Sequence, residues 1–466
     1  MNQSTTRVVI LDGSEDAKLL AAICDGRDLT PTMAKSNLDA EARAMLQALY
    51  SRSPKSVVEH VRKVVEKGAD QFMRQYYVNY GHKSIGDCGF VTIFVEGCSM
   101  LVAKAIQDNR LYNGQEASTR YLDFSELPFL NPLDTENGQA IIDNWRTFYE
   151  LGTSSEELRA DIKKRFPQKS GEKDATYERA ISARIFDVMR GFLPFSATTF
   201  VAWTTNLRQA ADKIAILRNH PLAEVRQFAE VILAKLKGRY PSSFSHKPSM
   251  AQDDYLEIAN LLNYYDPDSA SDFTFEHSID MDSLNLLCIG LLRSRPKHME
   301  LPGFMEDLGQ VRVSFMLDGG SWRDLQRHRA CIVRFPLFRT TWGFYPWYLD
   351  QLTPELKEKA ERLIASQTEL IDKLPASPIT QQCYLAMGFQ APMLVTGGLP
   401  AIVYMTELRT GKTVHPTLRQ RAQQIALELQ KTFPEMPLHV DLDPNDWDAK
   451  RGTQTIMTSD DKAIND

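Results

Sequence analysis

The sequence predicts an α+β fold built from two tandem domains. A chain of 466 residues is too long for one ordinary hydrophobic core. A β-prone run at residues 90–97 is followed by a helical pattern that ends near Asp108. The same order of strand, helix and polar loop recurs at residues 311–316 and ends at Arg327. The two halves therefore resemble two copies of one domain.

One polar motif follows the helix in each half and is eroded differently in each copy. The first copy contains Asp108, Asn109, Arg110, Glu116, Ser118 and Arg120, and the second contains Arg327, His328, Arg329 and Arg339. When the copies are aligned, Asp108 meets Arg327 and Arg120 meets Arg339. The first copy keeps a carboxylate and a hydroxyl, whereas the second keeps a cationic triplet. We therefore expect a working site to need one part from each copy.

Composition indicates a soluble globular protein without a nucleic-acid surface. The chain is 43% hydrophobic and 24% charged, with a net charge of −6. This charge argues against a broad basic surface for nucleic acid. The six cysteines form no CxxC pair, which argues against a disulfide framework and a zinc site and favours a reducing cytoplasm. No signal peptide and no membrane-spanning apolar run is expected.

Periodicity and turn residues predict the elements in chain order. We expect a strand at 7–11, helices from 37 to 80 ending at Gly81, a strand at 90–97, a helix at 99–108, a loop at 108–120, a surface insertion at 151–175, a mostly helical block at 177–236, a strand at 311–316, a helix ending at 327, and helices at 354–373 and 414–432. The predicted domains are 1–245 and 276–440, with a linker at 246–275 and a flexible tail at 441–466.

Each polar cluster has both a functional and a structural interpretation. The arginine forks of Arg327-His328-Arg329 suit phosphate, but the triplet could equally be a solvated basic face or pair with Asp324. The segment from Glu116 to Arg120 offers an acceptor, a hydroxyl and a bidentate donor for a nucleotide, or it is a polar surface loop. Ser84, after Gly81 and His82, could be a helix cap.

Taken in order, these motifs resemble the flavin-dependent thymidylate synthase (ThyX) family. The resemblance begins with Gly-His-Lys-Ser at 81–84, a phenylalanine-rich strand, and a loop that ends in Ser118-Thr119-Arg120-Tyr121. It continues with Arg190 before Leu-Pro, with Asn206 and Arg208 in a Trp-Thr-Thr-Asn-Leu-Arg segment, and with Leu217-Arg218. In the second half, Arg323 to Arg329 and Glu407-Leu408-Arg409 are similar to the corresponding family segments, so the resemblance covers most of the chain as two tandem copies.

The resemblance implies a fold, an assembly and residue roles. Each domain would hold a small antiparallel sheet with packed helices. Family members are homotetramers with sites at subunit junctions, so a tandem chain would form a homodimer that imitates a tetramer and carries hybrid sites. The implied roles are cofactor binding by Ser84, Asn206, Arg208, Arg327, His328 and Arg329; substrate binding by Glu116, Ser118, Arg120, Arg190 and Arg339; and catalysis by Arg218 and Arg409. No metal is expected.

The implied reaction is the reductive methylation of dUMP to dTMP. FAD would be the cofactor, with NADPH and methylenetetrahydrofolate as co-substrates, and arginines would fix the phosphate and favour negative charge on the uracil ring. The second copy departs from the family where Phe335 and Leu337 replace the glutamate and serine, and where Gly398 and Pro400 replace the counterparts of Asn206 and Arg208. Two alternatives therefore stay open: an altered pyrimidine substrate, or an inactive nucleotide-binding homologue.

Overall fold

The computed structural model describes residues 7–11, 39–53, 57–79, 81–247, 249–297 and 299–444. Up to residue 195 the elements are β1 (Arg7–Leu11), α1 (Ala40–Tyr50), α2 (Val57–Lys67), α3 (Asp70–Phe72), a π-helix (Met73–Asn79), α4 (Lys83–Gly86), β2 (Phe90–Ser99), α5 (Met100–Gln107), β3 (Asn113–Glu116), α6 (Glu136–Thr153), α7 (Glu156–Arg165), α8 (Asp174–Met189) and a 3₁₀ turn (Arg190–Phe192).

The remaining elements follow the same alternation of strands and helices. They are β4 (Thr198–Asn206), α9 (Leu207–Arg218), α10 (Ala223–Arg239), α11 (Met250–Asn263), β5 (Tyr264–Tyr265), β6 (Phe273–His277), α12 (Met281–Ser283), a π-helix (Leu284–Cys288), α13 (Ile289–Ser294), a 3₁₀ turn (Gly303–Leu308), β7 (Gln310–Asp318), α14 (Gly319–Leu325), β8 (Ile332–Val333), β9 (Phe335–Pro336), a 3₁₀ turn (Thr340–Trp342), α15 (Pro346–Asp350), α16 (Pro354–Asp372), α17 (Pro378–Gln381), a 3₁₀ turn (Gln382–Tyr384), β10 (Gln390–Gly398), α18 (Leu399–Arg409) and α19 (Pro416–Thr432).

Contacts divide the chain into two compact units that interleave in sequence. The first unit takes Met1–Ala117 and Ser196–Asn263, and the second takes Ser118–Phe195 and Tyr264–Asp466. The division therefore does not follow the boundary at residue 245 that the sequence suggested, because residues 118–195 group with the second half. The predicted linker at 246–275 instead holds α11, β5 and β6. Asn260 of α11 donates to the backbone oxygens of Ile216 and Asn219 at 2.9 Å each, which docks this helix on α9.

The first unit is organised by a four-stranded antiparallel sheet in the order β1-β2-β4-β3. Strand β2 leads directly into α5, all of whose residues are buried. The hydroxyl of Ser99 caps this helix by accepting from the backbone N–H of Val102 at 3.2 Å. Strand β2 thus leads through α5 to Asp108, which is the C-cap residue of that helix.

The second unit contains another four-stranded antiparallel sheet, in the order β6-β7-β10-β8. Strand β7 leads into α14, and the carboxylate of Asp318 caps that helix by accepting from the Ser321 N–H at 2.9 Å. The short β5 pairs in parallel with β9 outside this sheet. Small antiparallel sheets with packed helices confirm the α+β class.

The two units share several local features. In both, a capped helix follows the second strand, and a long helix begins after a His-Pro pair. The Nδ1 atoms of His220 and His415 accept from the N–H two residues later, at 3.1 and 3.4 Å. Helices α10 and α19 both end at an aromatic residue before proline, with nearly equal φ and ψ of −130° and 66° at Tyr240 and −123° and 65° at Phe433.

Two equivalent segments pair with each other inside the second unit. Each follows a 3₁₀ turn, and Pro194 and Ala386 form an antiparallel bridge. Met387 donates its N–H to the Leu193 oxygen at 2.8 Å, and Phe195 donates to the Leu385 oxygen at 2.9 Å. Because equivalent residues exchange equivalent hydrogen bonds, the pairing has the self-complementary geometry of an isologous contact.

Most predicted elements are confirmed, and three are corrected. The strands at 7–11, 90–97 and 311–316 and the helices at 354–373 and 414–432 are present. The predicted loop at 108–120 contains β3, and the block at 177–236 is interrupted by β4, because these two segments pair with each other. The predicted insertion at 151–175 contains α7. The Tyr177 hydroxyl of α8 donates to the Phe166 oxygen at the end of α7 at 2.9 Å. The predicted tail is described only to residue 444.

Candidate functional site

The residues that the sequence singled out fall into both units. Ser84, Glu116, Asn206, Arg208 and Arg218 belong to the first unit, and Ser118, Arg120, Arg190 and the remaining predicted residues belong to the second. The second unit thus unites polar residues of the first motif copy with the cationic triplet of the second copy.

In the first unit, Glu116 is part of a buried ion pair. Its carboxylate accepts from Lys104 Nζ and from Gln107 Nε2, each at 2.8 Å. The Lys104 side chain is 0% exposed and that of Glu116 1% exposed. A buried carboxylate with a cationic partner is stable without a ligand, so this pair ties α5 to β3.

Asp108, at the position where the second copy has Arg327, also ties elements together. Lys213 Nζ donates to its backbone oxygen at 2.6 Å, and Asn263 Nδ2 donates to its carboxylate at 2.9 Å. Burial lowers the pKa of Lys213, and the Asp108 charge opposes this shift. In this copy the triplet position therefore joins α5 to α9 and α11.

Of the other four predicted residues of the first unit, Ser84 lies on α4, Arg208 and Arg218 lie on α9, and Asn206 is the last residue of β4. Arg208 pairs with Asp87 at 2.6 Å, which links these helices, and Ser84 on α4 is exposed. The side-chain oxygen of Asn206 accepts from the Gln209 N–H at 2.8 Å and so caps α9.

Arg218 ends α9 in an ion pair with Glu230 at 2.5 Å. The side chains of this pair are 37% and 57% exposed. Its setting is that of a solvated surface pair.

In the second unit, Arg120 is held by a buried carboxylate. Its Nε and Nη2 donate to the two oxygens of Asp187 at 2.7 and 3.2 Å, and Nη1 donates to the Thr413 oxygen at 2.8 Å. Asp187 is 0% exposed. Ser118 accepts from the Arg120 N–H at 3.3 Å, which fixes the start of this loop. Two of the five guanidinium protons stay outside these bonds.

Arg190 lies deeper, within a polar network between α8, α14 and α19. Its Nη2 donates to Ser321 Oγ at 2.9 Å and lies 3.8 Å from Asp318 Oδ2. The Tyr348 hydroxyl donates to the same Asp318 oxygen at 2.6 Å. Burial, followed by the charge of Asp318, raises the pKa of Tyr348 well above its usual range.

His415 completes this network as a neutral ring. Its Nε2 lies 3.1 Å from the backbone oxygen of Asp187, an acceptor, so Nε2 carries the proton. Nδ1 then accepts from the Thr417 N–H. Burial and the charges of Arg190, Arg120 and Arg184 lower the pKa of His415 well below its usual range.

His328, the middle residue of the triplet, is hydrogen-bonded to Arg409. Arg409 Nε donates to His328 Nε2 at 2.6 Å, and Nη2 donates to the Asp324 backbone oxygen at 2.7 Å. The Tyr404 ring meets the His328 ring edge-on, with centroids 6.2 Å apart. Burial and then Arg409 lower the pKa of His328 to about 3, while Asp324 acts in the opposite direction.

Several arginines act on the single carboxylate of Asp324. Burial alone would raise its pKa, but the charges of Arg409, Arg327, Arg190 and Arg120 outweigh burial and lower the pKa well below the usual range. Arg327 and Arg329 are exposed, at the end of α14. We call Asp324 and the residues Arg120, Arg327, His328, Arg329 and Arg409 the arginine cluster.

Arg339 does not take part in these interactions with Asp324. Its Nε donates to Asp266 at 2.9 Å, and Nη2 contacts the other carboxylate oxygen. This hydrogen bond and the Asp266 charge raise the pKa of Arg339, although burial opposes the shift.

A cleft of about 710 Å³ adjoins the arginine cluster within the second unit. Tyr404 and Leu408 of α18 line it, as does Thr413, whose oxygen accepts from Arg120. Its wall also contains the nearly buried ion pair of Arg295 and Glu407. Pockets of this size and mixed polarity commonly hold small ligands. Within the described ranges, no group of histidine, cysteine and acidic residues could hold a metal ion, and no helix is both long and apolar enough to cross a membrane.

Sequence reasoning missed the residues that hold the arginines. Asp187 has no local motif, and it meets Arg120 only in the folded chain. Asp324 was considered only as a pairing partner that would make the triplet structural, and Tyr404 carried no signal beyond its position on an apolar helix. The His-Pro pair at 415–416 was the one visible hint of the network around Arg190.

The comparisons with known proteins agree with the order of the motifs. Residues 17–242 match the family model described as thymidylate synthase complementing protein. A UPF0159 protein of Chlamydia muridarum is 26% identical over 79% of this chain and 80% of its own length, and one of Thermoplasma acidophilum is 22% identical over 84% and 93%. A flavin-dependent thymidylate synthase of Pseudothermotoga lettingae is 23% identical over 40% of this chain and 79% of its own length.

Among solved structures, the UMP/dUMP methylase PolB of Streptomyces cacaoi, bound with 5-Br dUMP, covers 44% of this chain and 88% of its own. The sequence identity is 17% and the TM-score 0.30. The family model, in contrast, spans the first motif copy with Ser84, Arg120, Arg190, Arg208 and Arg218. Residues 17–242 of this chain are thus similar to the thymidylate synthase complementing protein family.

Proposed function

We propose that this chain is a flavin-dependent thymidylate synthase-like enzyme that methylates dUMP to dTMP, with its site at the arginine cluster of the second unit. The observation that carries the proposal is the convergence of arginines from both halves of the chain on Asp324. Arg120 comes from the half that matches the family model, and Arg327 and Arg409 come from the other half. This is the pattern expected if one site uses parts of two motif copies.

The charge balance of the cluster favours a dianionic ligand. Asp187 neutralises Arg120, and Asp318 lies beside Arg190. The charges of Arg327 and Arg409 both act on one carboxylate, that of Asp324. Arg409 is half-buried, and a cation that is partly removed from water is stabilised by an anion. A nucleotide phosphate offers the geometry that guanidinium forks prefer.

The first unit supports one site per chain rather than two. Its position equivalent to Arg327 is Asp108, which is engaged with Lys213 and Asn263. Its Glu116 is engaged with Lys104. We therefore propose that only the second unit carries a working set of site residues. Ser118 and Arg120 would bind the substrate there, and the buried Arg190 would support them.

The cluster and the adjoining cleft suit a second, larger ligand as well. Arg327 and Arg329 can meet a pyrophosphate, and Tyr404 offers an aromatic surface in a cleft of about 710 Å³. We propose that Arg327, Arg329 and Tyr404 would hold FAD here. When bound, FAD would supply hydride chemistry, with NADPH and methylenetetrahydrofolate as co-substrates. The protein's share is to fix the phosphates and to favour negative charge on the uracil ring.

We also propose that two chains associate as a homodimer that stands in for a tetramer. The symmetric exchange of hydrogen bonds between residues 193–195 and 385–387 supports this, because it reproduces within one chain the kind of contact that two identical subunits make. A solution mass of twice the chain mass is expected from analytical ultracentrifugation, and a stable monomer would contradict the assembly.

The first experiment is the visible absorption spectrum of the purified protein after FAD is added and the excess removed. Oxidised-flavin bands at about one FAD per chain would support a single hybrid site, and two per chain would contradict it. A colourless protein that still binds dUMP would indicate an inactive nucleotide-binding homologue. Tighter binding of another pyrimidine nucleotide would indicate an altered substrate.

A pair of arginine variants then locates the site. Arg327→Ala should weaken dUMP binding by about 10- to 100-fold, because a charged hydrogen bond to phosphate contributes about 1.5–3 kcal/mol. Arg218→Ala is the matched control, since Arg218 pairs with Glu230 on the surface of the first unit. If Arg218→Ala abolished binding and Arg327→Ala did not, the site would lie with the first motif copy and the proposal would fail.

A further inference from the structure

We propose that Arg409 holds His328 as a neutral imidazole with its proton on Nδ1, so that the ring presents one N–H donor to a carbonyl oxygen of the bound pyrimidine. The identity of that ligand rests on the proposed function. The protonation state of the ring does not, because it follows from protein contacts alone.

The contact between the two side chains decides where the proton lies. Arg409 Nε is 2.6 Å from His328 Nε2. A guanidinium has five N–H donors and no acceptor, and it keeps its charge in proteins. His328 Nε2 must therefore offer a lone pair. A ring that accepts at Nε2 can be only the neutral tautomer whose single proton is on Nδ1.

Arg409 is itself fixed, which gives the ring a defined orientation. Its Nη2 donates to the backbone oxygen of Asp324 at 2.7 Å. His328 is 6% exposed, and the edge-on ring of Tyr404 limits its rotation from the side of α18. We propose a positioning role for Arg409, because its Nε donates to His328.

The charges around the ring oppose a second proton. Arg409 on α18 faces the ring, and Arg327 is its neighbour in the chain. The carboxylate of Asp324 on α14 acts on the ring in the opposite direction. Burial and Arg409 together outweigh Asp324 and keep the pKa of His328 low, at about 3. The ring therefore remains neutral through the physiological range.

A neutral imidazole donor has a specific chemical use. It can hydrogen-bond to a carbonyl oxygen and stabilise negative charge there without transferring its proton. Among the described residues, none accepts a hydrogen bond from His328 Nδ1, so this donor can serve a ligand. A uracil or isoalloxazine ring has carbonyl oxygens that can accept from the His328 Nδ1–H. An exocyclic amino group is itself a hydrogen-bond donor and could not accept this bond.

The tautomer is tested directly on the free protein. Long-range ¹H–¹⁵N correlation spectra of protein labelled at histidine, compared with those of His328→Gln, identify the His328 ring. We expect an N–H signature at Nδ1 and an unprotonated signature at Nε2 that persist from pH 8 down to pH 5. A proton on Nε2, or a ring that gains a second proton near pH 6.5, would refute the inference whether or not dUMP binds.

Two amide variants separate the two functions of the ring. In asparagine the side-chain nitrogen lies as many bonds from Cβ as His Nδ1, so His328→Asn keeps a donor there. In glutamine the oxygen can reach Arg409 as Nε2 does, so His328→Gln keeps the Arg409 contact and loses the donor. Calorimetric titration with dUMP should show about fivefold weaker binding for His328→Gln and a smaller loss for His328→Asn.

The outcomes also separate this inference from the proposed function. Equal losses in both variants would show that the donor is not used. If the wild-type protein shows the Nδ1 proton but does not bind dUMP, the proposed function fails and the tautomer stands. If dUMP binds and Nε2 carries the proton, the tautomer fails and the proposed function stands.

Discussion

Replacement of Asp187 should destabilise the second unit strongly, because this carboxylate is the buried counterion of Arg120. Asp187 is 0% exposed and the Arg120 side chain 12% exposed, and two N–H···O bonds of 2.7 and 3.2 Å join them. Removing Asp187 leaves a largely desolvated guanidinium with one remaining partner, the Thr413 oxygen.

The structure sets the size of the effect. Removing one partner from a buried ion pair costs about 3–5 kcal/mol. Arg120 keeps its Thr413 contact and a little solvent exposure, so we expect the lower end, about 3 kcal/mol, for Asp187→Ala. Asp187→Asn keeps an acceptor of the same shape and should cost about 2 kcal/mol.

A second bidentate arginine–aspartate pair in the same unit supplies the control. Arg339 and Asp266 are 35% and 31% exposed, so Asp266→Ala should cost only about 0–1 kcal/mol. Urea unfolding followed by circular dichroism measures both variants, with m-values compared to check that the transition is unchanged. If Asp187→Ala and Asp266→Ala were equally stable, the burial argument would be wrong. A double variant, Arg120→Met with Asp187→Leu, should be more stable than Asp187→Ala alone.

Two further perturbations follow from burial. The folded-state pKa of His328 is lowered to about 3, so the unfolded chain binds more protons below pH 6.5. As the pH drops from 6.5 toward 3, His328 should therefore lower the free energy of unfolding by about 1.4 kcal/mol per pH unit. His415, whose pKa is lowered as well, should add to this fall. Urea midpoints measured from pH 7.5 to 5 test this; His328→Gln should flatten the fall, and a midpoint that rises on acidification would contradict it. Gly388→Ala would place a Cβ 2.1 Å from the Phe344 ring and 2.7 Å from the Gly191 oxygen. We therefore expect the free energy of unfolding to fall by about 1–3 kcal/mol. Gly303→Ala has no atom within 4 Å of its Cβ and is the control in thermal unfolding; equal melting temperatures would show that the Gly388 pairing can relax.

Local structure was predictable where local chemistry is sufficient. The β-branched and aromatic run of β2 and the serine that caps α5 are visible in the sequence, and both elements are present. Strand β4 was missed because it lies between two helical patterns and is stabilised by its partner strands β2 and β3. The short β3 was missed for the same reason, since strand formation depends on pairing across the sheet.

The domain organisation required tertiary information. Residues 118–195 belong to the first half by motif order, yet they pack within the second unit. Trp145 shows why: its indole Nε1 donates to the Tyr384 oxygen at 2.9 Å, and the ring is fully buried. An apolar helix face in the sequence predicts that the face is buried, but it does not predict which segment packs against it.

The sequence by itself determined the α+β class, the similarity of residues 17–242 to the thymidylate synthase complementing protein family, and the set of arginines suited to an anion. Tertiary structure alone decided which arginines already have protein partners. Arg190 and Arg218 carry the same charge in the sequence, but one is buried beside Asp318 and the other is paired with Glu230 in solvent. Ion pairing depends on distances between residues far apart in the chain and on how fully water is excluded from them. Neither these distances nor the exclusion of water can be predicted from local sequence, because the fold determines both.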